Sequence, residues 1–167
     1  MRGLPRFVLV GLLFGSVLTG VILAYGLGLI SMNSNQEDIS FHTIANDVDA
    51  RGYAEPANLI INDQGNWSEV WSKAFCSSGY RTRDCSPPYV NFTSSTVIAV
   101  FLGARDEGWR VEIDKIVRTG QSLTVTVQIH EPGCQTPTLF MAPFHIIDIR
   151  RTSLITTFTS RTILDKC

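Results

Sequence analysis

The stretch TVIAVFLGARDEGWRVEI, from Thr96 to Ile113, changes its pattern midway and decides the fold class. Its first part, Thr96–Leu102, is uncharged and largely apolar, which is typical of a central strand covered on both faces. From Trp109 onward apolar and charged residues alternate, which is typical of a strand with one face in solvent. The glycines of the intervening GARDEG supply the backbone freedom that a turn requires. The stretch therefore predicts a hairpin of two neighbouring strands with charged residues at its tip.

More strands are predicted on both sides of this pair. A second alternating strand covers 123–130 and follows the first through a polar turn at 118–122. Apolar and β-branched residues predict a later strand at 143–149, one or two more within 154–164, and an early one at 59–61. We expect a mainly β domain, an antiparallel β-sandwich or open barrel with one packed N-terminal α-helix, preceded by a single transmembrane helix.

One soluble helix is predicted from Asn66 to Phe75. Its apolar residues recur at helical spacing and so share one face. They are Trp67, Val70, Trp71, Ala74 and Phe75. We interpret the two tryptophans as the core face of the helix rather than as a ligand platform. Asn66 and Glu69 resemble a capping box at its start.

A membrane anchor is predicted near the N-terminus, because residues 7–30 carry no charge. A helix of that length would extend about 36 Å, enough to cross a hydrocarbon core of about 30 Å. Arg2 and Arg6 precede the segment and acidic residues follow it, so the positive-inside rule places residues 1–6 in the cytoplasm. A cleaved signal peptide is the alternative, since Ala24-Tyr25-Gly26 has a small-x-small pattern. Both interpretations export the rest of the chain.

The exported part divides into a polar segment, residues 31–52, and a domain, residues 53–167. We expect the first to be a tether, because neither a helical nor a strand period persists in it. Residues 31–167 hold 12 Lys and Arg against 15 Asp and Glu, a formal charge of −3. This balance does not favour nucleic-acid binding. The predicted location is the cell membrane, with a single pass and the C-terminal domain outside the cytoplasm.

Four cysteines follow the predicted anchor and indicate disulfide bonds in an oxidising compartment. Cys76 and Cys85 bracket a loop of polar, Gly and Pro residues, which favours a bridge between them. Cys134 would then pair with Cys167, although the other two pairings stay open. Zinc is disfavoured because the cysteine spacings contain no C-x-x-C pair.

Two glycosylation sequons begin at Asn66 and Asn91, which agrees with export in a host that glycosylates proteins. A glycan on Asn66 would compete for space with the predicted helix start. Asn91 is therefore the better candidate.

The sequence contains no evident catalytic constellation. The segment HEPGC, His130–Cys134, superficially resembles a zinc-protease motif, but its Pro and Gly exclude the helical turn that two ligands need. His42 lies in the predicted tether, and His145 lies in an apolar strand without a nucleophile motif. GARDEG has neither a phosphate-binding glycine pattern nor enough oxygens for calcium. We expect no enzyme activity, cofactor or metal; a pocket joining a histidine to an acidic residue and a hydroxyl would revive the enzyme hypothesis.

Three segments occur in an order that is similar to a known family. They are WSEVW in the helix, VNFTSSTVIAVFLGARDEGWRVEI, and EPGCQTPTLFMAPFHIIDI. Together, from about Trp67 to Ile149, they resemble the C-terminal domain of PrcB-type protease complex subunits. The strongest motif is the apolar strand that runs into Gly103, followed by a short loop and the Gly108-aromatic pair; Glu107 departs from the small residue that the family usually has there. The resemblance implies an exported, non-enzymatic accessory domain that associates with or stabilises an extracellular protease.

The predicted function is thus a membrane-tethered extracellular domain that binds a protein partner, such as an exported protease, with no nucleic acid or small-molecule substrate. The expected contact patch is Arg105, Asp106, Glu107 and Trp109, in which the charges would orient the partner and an exposed Trp109 would anchor it. The alternative for Trp109 is a place on the core face of its own strand. The alternative function is a structural cell-envelope domain with no specific client.

Overall fold

The computed structural model describes residues 36–76, 85–134 and 139–167. They belong to one compact unit, Asn35–Cys167, and contain one helix and eight strands. The elements are β1 (Gln36–Asp38), β2 (His42–Asp47), β3 (Ala57–Ile61), α1 (Gln64–Cys76), β4 (Ser95–Phe101), β5 (Arg110–Thr119), β6 (Ser122–Glu131), β7 (Phe144–Arg150) and β8 (Ile155–Leu164). The predicted anchor at 7–30 lies outside the described residues. Among those described, no helix has the length and apolar character that crossing a membrane requires.

The strands form two four-stranded sheets that lie in different layers. The inner sheet has the order β2-β7-β4-β3 and is antiparallel throughout. The outer sheet has the order β1-β5-β6-β8, in which β6 and β8 are parallel and the other pairs antiparallel. The two sheets do not close into a barrel. The prediction of a mainly β fold with one helix is confirmed, in the sandwich form rather than the barrel. The expectation that its strands are antiparallel is wrong for β6 and β8, because β8 follows a strand of the other sheet and enters the outer sheet in the same direction as β6.

The inner sheet is covered on both faces, and β4 shows why. Val97, Ala99 and Phe101 belong to a core cluster shared with α1, which contributes Trp67 and Trp71. The alternate residues of β4 belong to a second cluster, shared with the outer sheet. The molecule therefore has three layers: helix, inner sheet and outer sheet. Both tryptophans are buried in the first cluster, as predicted for the core face of the helix.

The predicted capping box at Asn66 and Glu69 is wrong, because α1 begins one turn earlier. The Asp63 carboxylate accepts a hydrogen bond from the Asn66 N–H at 2.9 Å and from the Asn66 side-chain amide at 2.6 Å. The Trp67 N–H donates to the Asp63 carbonyl at 3.1 Å. Asp63 is thus the N-cap, and Asn66 is the residue whose N–H it satisfies.

The predicted hairpin at GARDEG is also wrong. β4 pairs with β3 and β7 in the inner sheet, whereas β5 pairs with β1 and β6 in the outer sheet. Residues 102–109 therefore cross from one sheet to the other. Glycines at both ends and a charged middle suit either kind of connection, so the local sequence does not distinguish them. The following connection is a true hairpin, in which Thr119 pairs with Ser122 and Gly120 takes a positive φ of 60°.

The expectation of a tether at 31–52 is corrected for its described part. β1 pairs with the end of β5, and β2 pairs with β7 along the edge of the inner sheet. Both strands are short and mostly exposed, so their residues show no alternation of apolar and polar positions. Main-chain hydrogen bonds to β5 and β7 hold these two strands in the sheets. A polar sequence does not reveal such pairing.

Candidate functional site

The end of the sandwich where β5 starts and β6 and β8 finish carries the predicted contact residues. We call it the loop end and define it as residues 103–110, 131–134, 139–143 and 165–167. The disulfide between Cys134 and Cys167 crosses it, with a Cα–Cα distance of 5.4 Å. The second disulfide joins Cys76 to Cys85, at 5.7 Å, at the end of α1. Both pairs agree with the pairing favoured from the sequence.

Backbone contacts fix the crossing segment in place. Arg105 and Met141 exchange two main-chain hydrogen bonds, each of 2.8 Å. The Ala104 N–H donates to the Ala54 carbonyl at 2.8 Å. Gly103 has φ +77°, and a Cβ there would lie 2.8 Å from that same carbonyl oxygen. The segment is therefore held to the body of the domain on both sides, which limits the entropy lost when a partner binds.

The predicted contact residues divide into two groups. Trp109 and Glu107 are half-buried and line a cavity of about 500 Å³, together with Met141, Pro132 and Lys166. Trp109 also packs against the core cluster between the sheets, which is the alternative predicted for it; its role as a partner contact stays a prediction. Asp106 is exposed and does not line the cavity.

Arg105 is joined to Trp109 rather than extended into solvent. Its guanidinium carbon lies 5.8 Å from the centre of the Trp109 ring, within the range of a cation–π contact. Its Nη1 donates to the Ala104 carbonyl at 2.8 Å. The two side chains thus form one unit, in which a charge lies over an aromatic ring.

An apolar pair missed by the sequence analysis extends this unit. Leu139 and Phe140 precede Met141 and are 51% and 68% exposed. Met141 itself pairs with Arg105 through the main chain, so this exposed apolar pair adjoins a segment that carries Arg and Trp, two residue types enriched at protein-contact hot spots. We call Arg105, Trp109, Leu139, Phe140 and Met141 the contact patch.

A polar cluster beside the patch was also missed. Asp165 accepts a hydrogen bond from Arg110 Nη2 at 2.7 Å, and its other oxygen lies 2.9 Å from His130 Nδ1. Hydrogen bonds from His130 and then Arg110 lower the pKa of the Asp165 carboxyl. The sequence did contain a signal: pairing Cys134 with Cys167 brings the residues just before Cys167 close to the end of β6.

The His130–Asp165 pair invites comparison with a catalytic dyad. A second cavity, of about 250 Å³, is lined by His130, Arg110, Glu112, Asp47 and Asn46 among others. Among the described residues that line either cavity there is no serine, threonine or free cysteine. The pair is therefore a hydrogen-bonded His–Asp contact without a hydroxyl or thiol nucleophile in that lining.

His145 joins the two sheets in the core. Its Nδ1 accepts a hydrogen bond from the Ile113 N–H at 2.8 Å, where the β5–β6 register shifts, and its Nε2 lies 3.0 Å from Thr43 Oγ1. Because Nδ1 accepts a backbone hydrogen bond, the ring is neutral with its proton on Nε2. Burial lowers the pKa of His145, and the nearby Glu112 opposes this effect. The geometry is that of a structural histidine.

Both sequon asparagines are exposed, but their side chains differ in availability. The Asn66 amide nitrogen donates to Asp63 at the helix cap. Asn91 uses its carbonyl oxygen to accept hydrogen bonds from the Thr93 N–H at 3.1 Å and the Thr93 hydroxyl at 2.7 Å. Glycosylation stays a prediction at both sites, with Asn91 preferred.

Residues 96–150 match the family model described as PrcB C-terminal. The match begins in β4 and ends with β7, and it includes the segment from Arg105 to Trp109, His130 and His145. It leaves out α1, β8 and Asp165. The resemblance inferred from the sequence is confirmed over this stretch, about a third of the chain. No curated protein and no solved structure matches the chain.

Proposed function

We propose that this protein is a membrane-tethered, exported accessory domain that binds another protein through the contact patch, and that the partner is an exported protease. The observation that carries the proposal is the patch itself, in which Leu139 and Phe140 expose apolar surface immediately before Met141, the residue whose main chain pairs with Arg105. Buried hydrophobic anchors with Arg and Trp account for most of the binding energy in protein interfaces.

The family match supports the class of partner, since the matched model describes the C-terminal part of PrcB and that family implies a protease complex. The match covers β4 to β7, which carry the crossing segment and the start of β7 just beyond Met141. The patch is therefore built largely from the matched part of the chain. Membrane tethering rests on the uncharged segment 7–30.

Co-purification tests this proposal. The tagged full chain is extracted in detergent from its native membrane, and bound proteins are identified by mass spectrometry. We expect a protease in the wild-type sample and at least about tenfold less of it with Phe140→Ala, because truncating a hot-spot anchor costs about 2 kcal/mol or more.

Tyr89→Ala provides the matched control. Tyr89 is 87% exposed and lines a cavity with Ser95, the first residue of β4, at the end of that strand away from the loop end. This variant should keep the partner. Equal recovery from both variants would contradict the contact patch, and a chain that retains no protein in any sample would favour the structural envelope domain.

A further inference from the structure

The strand β8 forms an edge of the outer sheet. It pairs with β6 in an unbroken parallel register from Ser122–Ile155 to Glu131–Leu164. Within the described part of the chain, no strand lies on its other side. One row of its main-chain hydrogen-bonding groups therefore faces outward.

Two main-chain hydrogen bonds identify that row. The Ile155 N–H donates to Gln121 at 3.3 Å and the Asp165 N–H donates to Glu131 at 2.9 Å, so odd-numbered residues direct their N–H toward β6. Main-chain groups alternate along a strand in a parallel pair, so the even-numbered residues direct theirs outward. These residues are Thr156, Phe158, Ser160, Thr162 and Leu164.

β8 lacks the usual devices that block edge pairing. Its sequence ITTFTSRTIL contains no proline and one charged residue, and its register has no bulge. That residue, Arg161, already binds Asp114 at 3.0 Å. Two of its apolar residues, Ile155 and Leu164, are 71% and 69% exposed. The strand is thus open for pairing and has apolar surface left to cover.

We infer that β8 is a homodimer interface, in which β8 of a second copy pairs with it in antiparallel fashion about a two-fold axis at Thr159. In an antiparallel pair, a residue that directs its main-chain groups outward must lie opposite a residue of the same kind in the second copy. The outward residues of β8 are all even-numbered, so the two-fold axis passes through a residue position and not between two residues. With the axis at Thr159, residue i lies opposite the residue that is equally far from Thr159 in the second copy.

The side chains select this register. It places Ile155 opposite Ile163 and Phe158 opposite the small Ser160, and it brings Leu164 to Leu154, the residue just before β8. Arg161 lies opposite Thr157 and away from its own counterpart, so like charges do not meet. Moving the axis to Ser160 would instead place Leu164 opposite Thr156 and Ile155 opposite Asp165. The Thr159 register is therefore the one that covers both exposed apolar residues with apolar partners.

A cavity beside β8 supports the same occupant. It has a volume of about 190 Å³, lies between the two sheets, and is lined by Val127, Ile129, Phe158 and Ser160 among others. This volume is below the range of about 300–1,000 Å³ that is typical of small-molecule sites. In the proposed register Phe158 of the second copy lies opposite Ser160 and covers the opening. This surface is separate from the contact patch and does not depend on it.

Cysteine crosslinking tests the inference on the full chain purified in detergent. Thr159→Cys would face its own counterpart in a non-hydrogen-bonded pair, where Cα atoms are about 4.5 Å apart and a disulfide is allowed. We expect a covalent dimer to form at least about tenfold faster than with Ile163→Cys, whose own counterpart is distant in this register.

Ser160→Pro completes the test, since it removes an outward N–H and leaves the bonds to β6 intact. Combined with Thr159→Cys, it should abolish the covalent dimer while thermal unfolding stays within a few degrees of the parent. Phe140→Ala should leave the dimer unchanged, which separates this result from the proposed function. Equal crosslinking at positions 159 and 163, or a monomer at all concentrations, would overturn the inference.

Discussion

At the scale of single residues, two features of its position require glycine at Gly103: the backbone conformation and the lack of space for a Cβ. Its φ of +77° is a conformation that other residues adopt at a cost, and a Cβ added there would lie 2.8–3.0 Å from backbone atoms of the segment before β3. Gly120 has a similar φ of +60°, but a Cβ there would meet nothing within 4 Å. Substitutions at these two glycines therefore distinguish the cost of backbone strain from the cost of steric overlap.

We expect Gly103→Ala to lower the free energy of unfolding by at least about 1 kcal/mol more than Gly120→Ala, because only the first substitution forces backbone atoms apart. Gly120→Ala itself should cost about 1–2 kcal/mol from its left-handed conformation. Urea unfolding of both variants measures the difference. Equal losses would mean that the crossing segment moves away from Ala54 without cost.

His145 makes stability depend on pH, since its ring is held neutral between the sheets. Burial lowers its folded pKa below the ordinary value of 6.5. A depressed pKa contributes stability that is fully present above the unfolded pKa and is lost as the pH falls through the folded pKa. The described groups around the ring are Thr43, Phe41, the Ile113 N–H and Glu112.

His145→Asn keeps an acceptor near the position of Nδ1 but does not titrate. We expect the wild type to lose stability as the pH falls below about 6.5, and this variant to lose less over the same range. The comparison uses the slope of unfolding free energy against pH, because the smaller Asn side chain lowers the unfolding free energy at every pH. Parallel slopes would show that His145 does not titrate in this window.

At the scale of elements, the sequence predicted each strand from β3 to β8 and the helix, but not how the strands pair. The uncharged run in β4 predicted a strand buried on both faces, and alternate residues of β4 do belong to two different core clusters. GARDEG did not reveal that β4 and β5 lie in different sheets, since turns and crossings use the same residues. β1 and β2 were missed because main-chain pairing places them rather than apolar side chains.

The start of α1 gives a prediction at this scale. Asp63 satisfies the Asn66 N–H, so Asp63→Ala should destabilise the protein by about 0.5–2 kcal/mol. Glu69→Ala should change stability by less than about 0.5 kcal/mol, as for an exposed position outside a capping interaction. Thermal unfolding at neutral pH checks both variants. A larger loss with Glu69→Ala would restore the capping box that the sequence suggested.

At the scale of the whole molecule, the three layers place the two candidate interfaces on different parts of the surface. The contact patch lies at the loop end, and the dimer interface runs along β8 at the side of the outer sheet. The sequence predicted Arg105 and Trp109 as contact residues from their charged and aromatic character, and that role stays a prediction. It could not predict Leu139 and Phe140, because their exposure depends on how residues 139–143 meet the crossing segment.

Photocrosslinking in the native membrane tests the central claim, that the contact patch binds a protein partner. A photoreactive amino acid replaces Phe140 in one full-length chain and Tyr89 in another, two exposed aromatic positions at opposite ends of β4. The account predicts that position 140 is crosslinked to a protease and that position 89 is not. Crosslinks to a protease from position 89 alone, or no protein crosslinked from position 140, would contradict it.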